Sequence, residues 1–329
     1  MAAATRCKGS DLIVFSAIAL WGRHIAEALA VPGLLATLVP IARTRAFRFL
    51  KFTQRTDQLI PGIGNLLSYR LVDLLIWQRY AKPINRYRQK ILNLPKLGFP
   101  LAPQYRHRSG STMPIINCYS ETVVAPPSDW KDTIHQAGYC FLDLATTYSP
   151  PPALQAFLNE EPQPVYVGFG SMISRRPEQL AQTIVSAIEA TGQRAVLCSG
   201  WGEVGKIELP SSIYLLEDVP HDWLFPRVAA AIHHGAAGTT AATLNAGIPS
   251  VVVPFFADQP TWGERLEQLG ISPATHPVSE LTSEQLAGSI RSVVQNDSFR
   301  ERAQALRAQI QEENGVDRAV SIMESYLPS

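Results

Sequence analysis

From residue 165 onward the chain repeats one hydrophobic rhythm. Short apolar runs alternate with amphipathic stretches, and glycines or prolines punctuate them. The runs predict strands at Val165–Phe169, Ala195–Cys198, Ile213–Leu216, Ala229–His233 and Ser250–Pro254. Helical spacing predicts Glu178–Thr191, closed by Gly192, and Gly238–Ala246, closed by Gly247. Trp262–Leu269, Ser283–Gln295 and Ser298–Glu312 follow as helices. Strand and helix in alternation at these lengths mean right-handed βαβ units and a parallel sheet.

The pattern before residue 150 is looser. Asp11–Leu20 reads as an apolar strand and His24–Leu29 as a helix that Val31-Pro32-Gly33 breaks. Leu67, Leu71, Leu74, Leu75, Trp77, Ile84 and Ile91 fall at helical spacing within Asn65–Leu92, and Pro83 is expected to split that stretch into two helices. Pro95–Pro103 reads as loop, and Ile115–Tyr119 and Gly138–Leu142 as short strands. Two proline clusters then flank a short helix at Leu154–Leu158. Proline-rich segments of this kind are stiff, exposed connectors. We therefore expect a first domain at 1–150, a linker at 151–164 and a second domain at 165–329, as a length of 329 residues allows.

Composition narrows the class. Hydrophobic residues make up 46% and charged residues 17%, so the chain can bury a sizeable core and is not disordered. No run approaches the roughly 20 apolar residues that span a bilayer. The run before Leu20 lacks a cleavage pattern, which argues against a signal peptide. Cys7, Cys118, Cys140 and Cys198 lie far apart and form no disulfide or metal framework, so neither a metal nor a cofactor is expected and a reducing, cytoplasmic setting is the default.

Charge is unevenly spread. Residues 1–150 hold 18 basic and 8 acidic side chains, and residues 151–329 hold 11 and 20. No acidic residue occurs between Asp73 and Glu121, where eight Lys and Arg fall, and Arg43–Arg55 mixes bases with Phe47, Phe49 and Phe52. One reading is a solvated face that balances an acidic partner domain. Another is peripheral contact with an anionic membrane surface. Nucleic acid is not expected, since no recognisable module accompanies the charge.

Candidate chemistry sits at predicted strand ends, where parallel sheets bind ligands. The turn Gly168-Phe169-Gly170-Ser171 lets backbone approach a ligand and offers a hydroxyl, although such turns are also purely structural. His233-His234-Gly235-Ala236-Ala237-Gly238-Thr239 joins a strand to a helix start, whose free N–H groups and dipole favour a phosphate. Thr239 and His234 add donors there, and either histidine has the bland alternative of a satisfied core residue. No GK[ST] follows, so this is not a Walker loop. Asp258-Gln259 supplies acceptors and donors suited to vicinal sugar hydroxyls, with a helix N-cap as the alternative for Asp258. Trp201 offers an indole for base stacking or plain packing. Asp218–Leu224 forms a further strand-end loop.

PVYVGFGS, CSGWG, VPHDWLF, HHGAAGTTAATLNAGIP and VVVPFFADQPTWGERLEQLG, in this order, make the chain resemble the UDP-glycosyltransferases of the GT-B fold, and more narrowly their sterol 3-β-glucosyltransferase-like branch. HIAEALAVP, APPSDW and Trp130–Asp143 extend the likeness backwards. The resemblance implies two Rossmann-like α/β domains, a UDP-sugar donor, a lipophilic hydroxyl acceptor, and inverting transfer without a metal. It implies that His234, Gly235, Gly238 and Thr239 hold the diphosphate, with Ser171 assisting. Asp258 and Gln259 would take the sugar hydroxyls. Val219 would offer its backbone to the uracil, and Trp201 would contact the nucleoside.

This sequence departs from the family at three places. Ala236 stands where a second glycine is usual, Ala242 stands at a ribose-carboxylate position, and the family's opening βα units have no counterpart. The last departure implies an incomplete N-terminal domain without the usual acceptor-activating base, for which Asp258 and His24 are the substitutes. The alternative reading is a non-catalytic donor-binding remnant, or half of a split enzyme.

Overall fold

A computed structural model describes residues 2–19, 21–53, 62–98, 113–172, 174, 176–199 and 208–327. The chain forms two compact units, 1–140 with 313–329, and 141–312. Among the described residues no helix is long and apolar enough to cross a membrane.

The first unit contains α1 (Ala2–Arg6), β1 (Ile13–Ser16), α2 (Gly22–Leu29), β2 (Gly33–Thr37), α3 (Ile63–Lys90), β3 (Ile115–Asn117) and β4 (Ile134–Gln136). Its four strands are parallel and lie in the order β1-β2-β3-β4. Side chains alternate across the sheet. Ile13 packs on Ile25 and Ala26 of α2, while Leu34 and Ile116 pack on the opposite face. The partners on that opposite face come from the far end of the chain. They are Ala319, Ile322 and Met323 of a helix at Gly315–Glu324. The second domain therefore does not run to residue 329 as the pattern predicts, because this apolar stripe has its matching surface on the first unit's sheet.

Several local expectations change here. Val31-Pro32-Gly33 does end α2, through Ala30 in a left-handed conformation, but Gly33 at once opens β2. Pro83 does not divide α3, which runs unbroken for 28 residues. Proline removes one helical hydrogen bond, and Pro83 is exposed, where solvent can meet the freed carbonyl. Gly138–Leu142 is not a strand. Gly138 adopts φ +100° and abuts Glu313, so the chain turns out of the sheet there, and the fourth strand precedes it at Ile134–Gln136.

One fully buried guanidinium ties these elements together. Arg88 of α3 donates to both carboxylate oxygens of Glu27 at 2.6 and 2.9 Å, and its Nε donates to the Pro95 carbonyl at 2.9 Å. Its Nη1 also meets Nδ1 of His24 at 2.9 Å. Burial, followed by the charges of Arg23 and Arg88, lowers the His24 pKa to about 3, so the ring stays neutral and accepts from Arg88. His24, a catalytic candidate by sequence, therefore serves the packing of α2 on α3.

The second unit holds α4 (Pro152–Leu158), β5 (Val165–Gly168), α5 (Pro177–Thr191), β6 (Ala195–Cys198), β7 (Ile213–Leu216), α6 (His221–Leu224), β8 (Ala231–His233), α7 (Ala237–Ala246), β9 (Ser250–Val252), α8 (Gln259–Gln268), α9 (Ser283–Gln295) and α10 (Asp297–Gln311). All five strands are parallel, in the order β7-β6-β5-β8-β9. Val165, Val167, Val251 and Val253 face Ile184 and Ile188 of α5 and Leu286 and Ile290 of α9. Tyr166, Val196 and Leu216 face Trp223, Leu224 and Phe225 on the other side. The proline-rich stretch expected as a free spacer is part of this unit. Leu154 is wholly buried, and Asp222 accepts from the backbone N–H groups of Leu144 and Ala145. Arg194 donates to the carbonyls of Phe157 and Glu160.

The Arg88 cluster makes an asymmetric prediction. Glu27→Gln leaves a fully buried charge without its carboxylate and is expected to cost about 3–5 kcal/mol. Arg88→Met leaves Glu27, whose side chain is 27% exposed, free to hydrate, and is expected to cost less. Urea unfolding of both variants checks this order, and the reverse order contradicts it.

Candidate functional site

The strand order places the site. The chain winds outward from β5 through β6 to β7, then returns to start again at β8 on the other side of β5. Loops leaving the carboxyl ends of β5 and β8 therefore diverge and open a crevice, where parallel sheets bind their ligands. The loop after β5 carries Gly170 and Ser171, and the loop after β8 carries His234 to Thr239. They meet closely. A Cβ on Gly170 would stand 3.4 Å from Cε1 of His234. The loop after β9 joins them, with Phe255 packed against Phe169 at 5.5 Å between centroids and Gln259 Nε2 3.4 Å from Met172 Sδ.

The two histidines divide their work. His233 is wholly buried at the end of β8, and its Nδ1 accepts from the Gly235 N–H at 3.1 Å. It holds the turn. Burial lowers its pKa to about 3, so the ring is neutral. His234 is buried as well, and its Nδ1 has no hydrogen-bond partner, as is true of His233 Nε2. Among the described residues, however, no ring nitrogen of His234 makes a backbone bond like that of His233 Nδ1 to Gly235. Burial, followed by the charge of His221, lowers its pKa to about 4. A buried ring nitrogen left unpaired costs free energy, and this one stands beside the start of α7.

That start is uncapped. Ala236 is the N-cap residue, it contributes no side-chain hydrogen bond, and the first turn carries no acidic residue. The opening N–H groups of a helix have no acceptor within it. Gly238 lies exposed, a Cβ there would meet nothing within 4 Å, and Thr239 is half-buried beside it. Gly235 is the reverse. It sits at φ +81°, and a Cβ there would stand 2.8 Å from Val252 Cγ1 and 2.9 Å from the Gln259 carbonyl oxygen. Ala236, where a glycine is usual, has φ −65° and ψ 145°, an ordinary extended conformation for an L-residue, so its methyl brings no backbone strain. Ala242 packs on the core cluster around Leu224.

The loop after β9 resolves the pair Asp258-Gln259. Ala257 takes φ +60°, and Asp258 follows at the N-cap of α8. Asp258 makes no capping bond. Its Oδ2 accepts from the Trp262 indole N–H at 2.9 Å, and burial raises its pKa. The signal for this partner is its i, i+4 spacing, which puts the two residues on one helix face. Gln259 Oε1 accepts from the N–H groups of Phe255 at 2.8 Å and Phe256 at 3.2 Å, so the carboxamide oxygen closes this turn. Ser171 is exposed in the β5 turn, and Val219 is buried in the loop after β7. Trp201 lies outside the described residues. The structure thus brings the loops of Ser171, His234, Gly238, Thr239, Asp258 and Gln259 to one end of one sheet. Among the described residues no group of three or more His, Cys, Asp or Glu is placed to hold a metal.

The glycines test this geometry. Gly235→Ala is expected to destabilise the protein by about 1–3 kcal/mol, since it adds strain at positive φ. Gly238→Ala, inside a helix with open space around it, is expected to leave stability unchanged or raise it by up to about 1 kcal/mol. Urea titration of the two variants distinguishes them, and equal destabilisation contradicts the description of the loop.

Known proteins resemble the chain in both sequence and fold. Residues 202–320 match the erythromycin biosynthesis protein CIII-like C-terminal domain. A sterol 3-beta-glucosyltransferase of Arabidopsis thaliana is 38% identical over 97% of this chain, which covers 49% of that protein. One from Cryptococcus neoformans is 35% identical over 95% of this chain and 21% of its own length. The chain thus spans about half the length of its plant relative and a fifth of the fungal one. The solved structure of the kitacinnamycin glycotransferase superposes with a TM-score of 0.71 at 17% identity, over 99% of this chain and 78% of that one. VinC, a glycosyltransferase solved with DTDP, gives 0.61 at 18% identity, over 98% and 74%. The chain thus has the fold of the GT-B glycosyltransferases, is similar in sequence to sterol 3-beta-glucosyltransferases along nearly all of its length, and carries an EryCIII-like C-terminal match at residues 202–320.

Proposed function

We propose that the second unit binds a UDP-sugar at the start of α7, and that the chain transfers a hexose, glucose by kinship, to a hydroxyl of a sterol or another lipophilic acceptor with inversion. The observation that carries this reading is the neutral, unpaired His234 beside an uncapped helix start at the switch point of the sheet. The free N–H groups of Ala237, Gly238 and Thr239 and the helix dipole suit a diphosphate. His234 adds a side-chain donor, and the Thr239 and Ser171 hydroxyls lie on the flanking turns. As the bond from the anomeric carbon to the leaving oxygen breaks, negative charge gathers on UDP, and fixed donors stabilise that charge without reorganising. Asp258, held by Trp262, presents its second carboxylate oxygen to sugar hydroxyls. Gln259 keeps the loop in place through its oxygen, so its contribution to sugar recognition rests on its N–H groups.

A second reading follows from a specific observation. His24 is bound to Arg88, which leaves Asp258 as the one remaining candidate base from the sequence. On that reading the chain binds donor, and transfer requires an acceptor-activating base supplied from outside it.

Two outcomes are expected. His234→Ala is expected to weaken UDP-glucose binding by about 1.5–3 kcal/mol in calorimetry, the range for a hydrogen bond to a charged group. Incubation with UDP-glucose and a sterol panel is expected to yield steryl glucoside by mass spectrometry. Binding without product selects the second reading, and unchanged affinity in the His234 variant removes that residue from the site.

Acidity provides an independent check. The free-state pKa of His234 lies near 4, so the ring is neutral at pH 7. A diphosphate beside it raises that pKa, so binding takes up a proton as pH falls toward the bound-state value. UDP-glucose affinity is therefore expected to rise from pH 8 toward pH 5.5 in the wild type and to lose that rise in His234→Ala. An affinity that falls with falling pH over this range contradicts the assignment.

A further inference from the structure

The N-terminal half of helix α3 exposes a run of large apolar side chains. A helix on the surface of a water-soluble protein buries its apolar residues and exposes its polar ones. Polar groups near both ends of α3 hold it in place, beside the buried ring of Tyr69 on Phe49 and the ring of Tyr87 against the Ile13–Ile25 cluster. Asn65 donates to the Arg45 carbonyl at 2.7 Å, Ser68 accepts from the Phe49 N–H at 3.0 Å, and Asp73 pairs with Arg43. Further along, Asn85 exchanges two hydrogen bonds with the backbone of Leu97, and Arg88 holds Glu27. The outer side carries the leucines. Ile63, Leu67, Leu71 and Leu75 are 51–57% exposed, and Leu74 is 36% exposed. Their spacing of three, four and one residues keeps them within one stripe of the helix.

Toward the C-terminal end the exposed positions become basic. Arg79, Lys82, Arg86 and Lys90 are exposed, and Asp73, the sole acidic residue of α3, is already paired. An apolar half followed by a cationic half on one outer face matches a medium that is apolar inside and anionic at its surface.

We propose that the outer face of α3 docks on an anionic phospholipid surface, with Ile63, Leu67, Leu71 and Leu75 entering the acyl boundary and Arg79, Lys82 and Arg86 meeting phosphates. The helix lies on the membrane and does not cross it. The docking stands independently of the donor site, because the residues that form it belong to the first unit and those of the donor site to the second.

Vesicle co-sedimentation tests it, with the whole chain and vesicles of phosphatidylcholine either pure or mixed with phosphatidylserine. The wild type is expected to bind the mixed vesicles, and to bind them less as salt rises, since ions screen surface charge within about 10 Å at 0.1 M. The triple variant Leu67→Gln, Leu71→Gln, Leu75→Gln is expected to partition at least about tenfold more weakly, because the apolar area that enters the lipid is lost. Arg79→Gln, Lys82→Gln, Arg86→Gln is expected to lose about fivefold per charge on mixed vesicles and little on pure phosphatidylcholine. These side chains face solvent, so both variants should keep the wild-type circular dichroism spectrum and the wild-type UDP-glucose affinity. Wild-type protein that stays in the supernatant overturns the proposal. So does binding that survives the leucine changes. A wild-type dimer that the leucine changes dissolve, with no vesicle binding, also overturns it and assigns the face to a second copy of the chain.

Discussion

Everything proposed for the second unit depends on one topological constraint. A parallel sheet that grows from β5 in one direction and then restarts at β8 must part its loops between those two strands. Backbone N–H groups and a helix dipole gather at the parting, because β8 runs directly into α7. The side chains adjust this arrangement. His233 pins the turn from inside, Gly235 fits where no other residue can, and His234 is left neutral with an unmet nitrogen. Gln259 closes the neighbouring loop, and its backbone carbonyl lies against the same glycine, so the proposed sugar and phosphate sides of the site are in direct contact.

The first unit adds a buried polar cluster to its apolar packing. Arg88 joins two helices and a loop through bonds to Glu27, His24 and the Pro95 carbonyl. Such a cluster specifies one arrangement strongly, since any lost partner leaves a buried charge. The same cluster engages His24, the catalytic candidate of the sequence, in the packing of α2 on α3.

Much of the second unit was legible in the sequence because its signals are local. Its strands are apolar runs of three or four residues, and Gly192 and Gly247 end their helices in the left-handed conformation that glycine tolerates. The loops carrying the site residues followed from those strand ends. The misreadings arose where the deciding partner is distant. Ile-His-Gln in β4 is short and polar and becomes a strand only because β3 lies beside it. The stripe of Ala319, Ile322 and Met323 carries no sign of which sheet it covers. Gln259 displays donors and acceptors suited to a sugar, but local pattern does not reveal that Phe255 and Phe256 already occupy its oxygen. Arg88 belongs to a basic run that reads as a solvated face until its bond to Glu27 is seen.

The central claim is that the diphosphate of a nucleotide sugar sits between the loops after β5 and β8. The most direct measurement is a crystal structure of the chain with UDP-glucose bound. The account predicts diphosphate oxygens within hydrogen-bond distance of the Gly238 and Thr239 N–H groups and of the His234 ring. A nucleotide bound elsewhere on the second unit, or a His234 ring that makes no contact with phosphate, would contradict it.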